Sequence, residues 1–319
     1  MKRLLVALGV TALAAGASAE TVKVDPAIPA YQKVSGVSGA ISSVGSDTMN
    51  NLMTLWGESF QKLYPNVRIQ IEGKGSSTAP PALIAGTAQF GPMSRAMKST
   101  EVDQFEHKYG YAPTQIRSSY DALAVYVNKD NPLEHLTLTQ ADSAFSKTRK
   151  RGGKNVATWG DLGLTGDWAN RPISLYGRNS ASGTYGFFKE HVMENGDYRD
   201  TVKEQPGSAS VVQGVTEDRF GMGYSGIGYR TSGVKNLALA AKEGGAFSSG
   251  SYEDVTTGRY PLARFLFIYV NRAPNKPLDP LAREFLKFVL SHEGQEIVIK
   301  DGYLPLSAAI VKEELAKLQ

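Results

Sequence analysis

Residues 177–190 read GRNSASGTYGFFKE and combine one cation with a run of small hydroxyl side chains. Arg178 is followed by Ser180, Ser182 and Thr184, and an apolar, aromatic run begins directly afterwards. Hydroxyl groups and the free backbone amides of a helix N-terminus donate hydrogen bonds, and an arginine adds a planar fork with a permanent charge. This combination of donors predicts a site that holds an oxyanion.

Donor-rich segments of the same kind recur earlier in the chain. GSDT at 45–48 and GSST at 75–78 each follow a strand-like segment and precede a helix-like one, and Ser94 and Arg95 follow a further strand-like segment. Each segment by itself is typical of an ordinary helix cap or turn. Because they recur at equivalent positions of a repeating unit, together they favour one shared anion site.

The elements that must position these segments alternate between strands and helices. Residues 40–44 form a short apolar segment, and apolar side chains recur at helical spacing from Met49 to Leu63, after which Pro65 ends the pattern. Residues 67–71 then alternate like a strand with one apolar face. The first donor segment therefore lies where a strand ends and a helix begins.

The alternation continues through the next segments. Residues 80–86 predict a short helix, 88–97 a strand that runs into a loop, and 99–110 a helix capped by Ser99 or Thr100. Such an order predicts an α/β protein with a largely parallel sheet.

The arginine-containing segment fits the same scheme. Residues 171–177 predict a buried strand, and Ser182 or Thr184 is expected to cap the helix that follows. The donors would then lie at the carboxyl ends of strands, where α/β proteins bind their ligands.

Two strand-like segments resemble each other, ALAVYVNKDNPL at 122–133 and FLFIYVNRAPNKPL at 265–278. They suit two crossovers between lobes. We therefore expect lobe one to comprise 36–126 plus 264–319 and lobe two to comprise 127–263. A cleft between two lobes is a favoured place for a ligand.

The N-terminus is typical of a secretory signal peptide over residues 1–19. Lys2 and Arg3 form a basic start, an apolar stretch follows, and Ala-Ser-Ala at 17–19 suits a cleavage site. The alternative is a membrane anchor, but the apolar stretch is too short to span a bilayer. Residues 20–35 are expected to be a loose lead-in, and the mature protein is expected in a periplasm.

Composition excludes several classes of function. The 319 residues contain no cysteine, which rules out disulfides, thiolate metal sites and a cysteine nucleophile. The net charge of +4 includes Lys2 and Arg3, so without them the chain is near +2, too weak to argue for nucleic acid. The basic run KTRKRGGK at 147–154 is interpreted as a solvated loop rather than a binding patch.

Six segments, taken in order, carry a family resemblance. They are VGSDTM, IEGKGSSTAPPALIAGTAQFGPMSRAM, ALAVYVNKDNPL, GRNSASGTYGFF, FGMGYSGIGYR and FLFIYVNRAPNKPLDP. Over roughly 36–310 the chain resembles the periplasmic phosphate-binding proteins, the solute receptors of phosphate ABC transporters. The resemblance implies a type II periplasmic-binding-protein fold, two-lobed α/β with mostly parallel sheets, helices on both faces and two crossover strands as a hinge. It implies a receptor that binds inorganic phosphate and serves an ABC permease, and not an enzyme. A monomer without a cofactor is the default expectation.

The resemblance also assigns ligand-binding residues in four loops. Thr48 and Ser76 match the threonine and serine of the first two loops, and Arg178 begins a loop that in the family reads Arg-x-Asp-Gly-Ser-Gly-Thr. With neighbouring donors and the separate candidates Asp47, Arg95 and Ser180 included, the full predicted set is Ser46, Asp47, Thr48, Ser76, Ser77, Ser94, Arg95, Arg178, Ser180, Ser182, Gly183 and Thr184.

The chain departs from the family at two of these positions. Ser94 and Ser180 stand where many members have an aspartate that accepts the proton of a protonated phosphate and repels fully ionised anions. An ionised carboxylate only accepts hydrogen bonds, whereas a hydroxyl donates or accepts, so rejection of sulfate is open at this point. Asp47 is a candidate substitute acceptor, and Arg95 is expected either to fix its loop or to contact the ligand.

The main alternative is a secreted, phosphatase-like hydrolase. GYSGI at 223–227 lacks the second glycine of a GxSxG nucleophile elbow, and GKGSST lacks the lysine–hydroxyl pair of a P-loop. The four histidines lack metal-ligand spacing. A Ser–His–Asp triad stays open, because its members need not be close in sequence.

Two further alternatives are also binding proteins, but one has a different partner and the other a different ligand. The chain could be an anion receptor that feeds a sensor or binds a surface, or a receptor for sulfate, arsenate or molybdate. Sequence alone separates these from a phosphate receptor poorly.

Overall fold

The structure is a computed structural model that describes residues 22–319. The expected signal peptide, 1–19, lies outside the described residues. The strands of the described part are β1 Gly39–Val44, β2 Val67–Glu72, β3 Gly91–Met93, β4 Thr114–Asn128, β5 His135–Thr137, β6 Ser174–Arg178, β7 Lys203–Gln205, β8 Gly221–Gly226, β9 Val234–Asn236, β10 Ala238–Ala240 and β11 Ala263–Val270. The α-helices are α1 Asn50–Leu63, α2 Ala79–Ala85, α3 Ser99–Tyr109, α4 Leu138–Phe145, α5 Gly183–His191, α6 Ser208–Glu217, α7 Tyr252–Thr256, α8 Pro280–Val289, α9 His292–Lys300 and α10 Ala308–Ala316.

Local signals place most of the elements around the donor segments. In α1 the apolar positions, including Trp56 and Phe60, form the buried face, as the helical spacing predicts. Gly86 and Gly110 end α2 and α3 in the left-handed conformation that glycine adopts at low cost.

The cap of α3 differs from the prediction. Lys98, not Ser99 or Thr100, precedes the helix, and its backbone N–H donates to the Glu101 carboxylate at 2.8 Å. A carboxylate three positions into a helix satisfies a free amide there, so Glu101 fixes the start of the helix in place of a hydroxyl.

The α/β architecture agrees with the sequence; the two small sheets are parallel, whereas the main sheet is mixed. The main sheet has the order β3-β11-β4-β8-β6-β7, with β9 beside β4, and β1 and β2 form a separate parallel pair. β4 and β11 run antiparallel to each other and to their other neighbours, whereas β6 pairs in parallel with both β7 and β8. Every antiparallel pair of the main sheet includes β4 or β11, the two strands that cross between the lobes.

β4 connects the two halves of the main sheet. Its residues from Thr114 to Ala122 pair with β11, and those from Leu123 to Val127 pair with β8. One hydrophobic core packs α1, α8, α9 and α10 around β1, while another packs α4 and α5 against the second half of β4. The two strands β4 and β11 therefore form the covalent route between two separately packed lobes.

No helix within 22–319 is long and apolar enough to cross a membrane.

Asp301 follows α9 in lobe one and is half-buried. Burial raises the pKa of this carboxyl to about 6, although a hydrogen bond from the Asn51 side chain opposes the rise. Because the folded-state pKa lies above the ordinary value of 3.8, ionising Asp301 opposes folding. The loss of stability caused by ionising Asp301 is absent below about pH 4 and complete above about pH 7.

We expect Asp301→Asn to raise the free energy of unfolding by about 1–2 kcal/mol near pH 8 and to leave it unchanged near pH 4. The amide keeps a hydrogen-bond acceptor for Asn51 and removes the charge. Urea unfolding at the two pH values measures the effect. An equal gain in the free energy of unfolding at both pH values would show that the charge of Asp301 is not responsible.

Candidate functional site

Hydroxyl side chains from four loops and both lobes meet in one buried place. Each of them is at most 2% exposed. These residues are Thr48, Ser76, Ser94, Ser182 and Thr184. The structure therefore brings together five of the eight hydroxyl side chains that the sequence assigned to an anion site.

Hydrogen bonds link this cluster across the lobes. Thr48 Oγ1 of lobe one lies 2.9 Å from Thr184 Oγ1 of lobe two. The Ser77 backbone N–H of lobe one donates to the Ala181 carbonyl of lobe two at 3.1 Å. These contacts require the lobes to be closed on each other, and we call this arrangement the closed conformation.

Three helical segments begin at the cluster. Asp47–Met49 and Ser76–Thr78 are short 3₁₀ turns that lead into α1 and α2, and α5 starts at Gly183. Ser182, rather than Thr184, caps α5, because its hydroxyl accepts from the Thr184 amide at 3.1 Å. Helix N-termini carry free amides and a positive dipole end, so the site is electrostatically suited to an anion.

Gly183 makes this convergence sterically possible. A Cβ built on Gly183 would lie 2.3 Å from Ser76 Oγ and 2.6 Å from Ser94 Oγ. The α5 N-terminus therefore approaches the loops of lobe one more closely than any residue with a side chain allows.

Arg178 ends β6 and is 1% exposed. Its Nη1 donates to Ser208 Oγ at 2.7 Å, and its Nη2 donates to the Pro206 carbonyl and pairs with Asp47 Oδ2, both at 3.2 Å. Burial lowers the pKa of Arg178, and the Asp47 carboxylate opposes that change. Its Nε is buried without a hydrogen-bond partner in the described residues. The guanidinium thus has donor capacity left for a ligand.

A second buried arginine was missed by the sequence analysis. Arg264, in β11, binds Asp121 Oδ2 through Nε and Nη2 at 2.8 and 2.7 Å. It also donates to the Ser94 carbonyl at 2.8 Å and to Thr184 Oγ1 at 3.0 Å. Nothing in the local sequence marks Arg264 or its partner, since both lie inside ordinary strand patterns.

Arg95 fixes its own loop. It forms a two-point ion pair with Glu101, with both distances 2.7 Å, and its Nη2 lies 3.3 Å from Ser77 Oγ. Of the two roles expected for Arg95, these contacts correspond to the structural one.

The other assigned hydroxyls lie in two places. Ser46 Oγ is buried without a hydrogen-bond partner among the described residues. Ser180 is exposed and lies with Ser77 and Ser182 at the edge of an open pocket of about 750 Å³. Ser180 therefore differs from the buried hydroxyls in its exposure, although it lines the same pocket as Ser182.

The basic run 147–154 is largely exposed, as the solvated-loop interpretation expects, but Arg151 within it makes hydrogen bonds to the end of α5. Arg151 donates from Nε to the Val192 carbonyl at 2.6 Å and from Nη2 to the His191 carbonyl at 2.7 Å. These carbonyls lie at the C-terminus of α5, where a cation complements the helix dipole. The run thus anchors the far end of the helix whose N-terminus enters the site.

Comparisons with known proteins agree with the fold. The model of the periplasmic binding protein (PBP) superfamily domain matches residues 30–293. A phosphate-binding protein PstS from Pseudomonas aeruginosa strain PAO1 is 58% identical, covering 100% of this chain and 99% of the relative. A solved phosphate ABC transporter substrate-binding protein from Clostridium perfringens, with bound phosphate, is 24% identical with a TM-score of 0.70 and covers 84% of this chain and 100% of its own. An ABC-type phosphate transport receptor from Vibrio cholerae is 21% identical with a TM-score of 0.65, covering 83% and 100%.

The two-lobed α/β fold and the superfamily match make this chain a periplasmic binding protein. Within that superfamily it belongs to the phosphate-binding protein family that the Pseudomonas aeruginosa relative represents. The predicted family is confirmed, and it is a family of binding proteins rather than of enzymes.

Gly183→Ala is expected to keep the lobes apart, because the added methyl would collide with Ser76 Oγ. Gly186→Ala is the matched control on the same helix, since the nearest atom to a Cβ there is Arg95 Cδ at an ordinary 3.5 Å. The measurement is the radius of gyration from small-angle X-ray scattering, under conditions that close the parent protein. A Gly183→Ala variant as compact as the parent would contradict the close approach.

Proposed function

We propose that this protein is an exported receptor that binds inorganic phosphate between its lobes and delivers it to the membrane permease of an ABC transporter. The observation that carries the proposal is a buried cluster in which hydroxyl side chains and helix N-termini of both lobes lie together with Arg178 of lobe two. It is supported by the name of the 58% identical relative, a phosphate-binding protein.

The chemistry of the cluster suits a dehydrated tetrahedral oxyanion. Such an ion needs many short donors that point inward, and buried donors without partners cost free energy. Within residues 22–319, Arg178 Nε and Ser46 Oγ are such donors. The fixed positive charge of Arg178 and the helix dipoles would offset the cost of removing phosphate from water.

We propose that the twelve assigned residues divide by role. Direct ligands are the donors in or beside the buried cluster: Ser46, Thr48, Ser76, Ser94, Arg178, Ser182, Gly183 and Thr184. Ser77 and Arg95 hold the loops in place, Ser180 lies at the cleft mouth, and Asp47 faces Arg178.

Binding is coupled to closure in this proposal. The cluster is complete only when loops of both lobes meet, so phosphate would shift the balance between open and closed forms. We propose that the lobes divide within β4 near Ala122, where its pairing changes from β11 to β8, and at the start of β11 near Ala263. This differs by a few residues from the division expected at 126 and 264.

Export and delivery belong to the same proposal. The signal-like residues 1–19 support cleavage and a periplasmic location. The Clostridium perfringens neighbour is described as an ABC transporter component, which supports a permease as the partner. We propose that the receptor acts as a monomer.

The proposal predicts one-to-one binding of phosphate to the ligand-stripped protein, with a Kd of about 1 µM or tighter. Isothermal titration calorimetry measures it, first with phosphate and then with sulfate. Tight phosphate binding without a sulfate signal supports the proposal. Binding of sulfate alone would favour the oxyanion alternative, which the serines at 94 and 180 motivate.

Arg178→Ala is expected to weaken phosphate binding by about 2–5 kcal/mol, because a charge pair is lost in a dehydrated site. Arg178→Lys should restore part of this loss, since it keeps the charge without the planar fork. Arg68→Ala, on the exposed face of β2, is the control. Unchanged affinity of the alanine variant in calorimetry would remove Arg178 from the ligands.

A further inference from the structure

Asp47 belongs to lobe one, yet the partners of its side chain belong to lobe two. Its Oδ2 lies 3.2 Å from Arg178 Nη2 and accepts from the Ser208 backbone N–H at 2.8 Å. The backbone carbonyl of Asp47 also accepts from the Tyr229 hydroxyl of lobe two at 3.0 Å. One short turn of lobe one is thus held by three residues of the opposite lobe.

The N-terminal turn of the helix that Asp47 meets has no acidic group of its own. α6 begins at Ser208, its N-cap position is Gly207, and its first turn contains no acidic residue. A glycine has no side chain to cap the free amides, and a carboxylate near a helix N-terminus is stabilising. The Asp47 carboxylate supplies this cap from the other lobe.

Asp47, Ser208 and Arg178 form a closed triangle. Asp47 Oδ2 accepts from the Ser208 backbone N–H and forms an ion pair with Arg178 Nη2, and Arg178 Nη1 donates to Ser208 Oγ at 2.7 Å. Two sides of this triangle cross the cleft and one lies within lobe two. Separating the lobes would break both crossing contacts and leave the Arg178 charge without its carboxylate.

We propose that Asp47 is an interlobe latch, meaning a side chain that stabilises the closed conformation but not the open one. It does so by capping α6 and pairing with Arg178 across the cleft. This rests on the proposed function where it concerns phosphate: the latch slows phosphate release. The role differs from the earlier hypothesis that Asp47 accepts a proton from the ligand, because the carboxylate is held by protein donors.

Two substitutions separate the components of the latch. Asp47→Asn keeps an acceptor for the Ser208 amide and removes the charge, whereas Asp47→Ala removes both. We expect the rate of phosphate release to rise about tenfold or more for Asp47→Ala and less for Asp47→Asn, with the association rate changed by less than about threefold. Glu72→Gln is the matched control, because Glu72 is in an exposed ion pair with Lys74 of the same lobe.

The experiment measures release of radiolabelled phosphate and, separately, the distance between the lobes. Because the chain has no cysteine, spin labels at Lys62→Cys and Thr201→Cys, both exposed positions, report that distance by electron spin resonance. The proposal expects a smaller closed fraction for Asp47→Ala than for the parent or the control, with and without phosphate.

The outcomes separate the latch from the proposed function. Unchanged closed fractions in the Asp47 variants would overturn the latch, even if phosphate binds. A change only in phosphate-over-sulfate selectivity, or in the pH dependence of binding, would instead make Asp47 an acceptor for the ligand. If the parent binds no phosphate but its closed fraction depends on Asp47, the latch stands and the proposed function fails.

Discussion

The structure depends on the burial of positive charge between the lobes. Arg178 and Arg264 are both buried, and each is balanced by an aspartate, Asp47 for the first and Asp121 for the second. A buried charge is tolerated only when it is paired and hydrogen-bonded. The two pairs differ in one respect: Arg264 and Asp121 sit on adjacent strands β11 and β4, whereas Arg178 and Asp47 face each other across the cleft.

Because of this difference, the two arginines stabilise different parts of the structure. The Arg264 pair belongs to the crossover strands, and from there Arg264 binds Ser94 of one lobe and Thr184 of the other. It ties the sheet that joins the lobes to the loops that form the site. The Arg178 pair exists only when the lobes meet, so its contribution depends on closure.

The structure places the serines at 94 and 180 in different environments. Ser94 lies in the buried cluster beside Ser76, while Ser180 is exposed and lines an open pocket. The carboxylate that faces the buried arginine is provided by Asp47, from a different loop and a different lobe.

The sequence by itself determined what depends on neighbours along the chain. Periodicity located β1, α1 and β2, the small polar residues located the strand-to-helix turns, and Ser182 could be named as one of two caps of α5. What the sequence could not determine joins residues far apart: Thr48 and Thr184 are 136 positions apart, and Arg264 and Asp121 are 143. Such pairs leave no periodic signal, because they depend on how the chain crosses twice between the lobes. Only the tertiary structure decided that Asp47 caps a helix of the opposite lobe and that Gly183 fits where no side chain can.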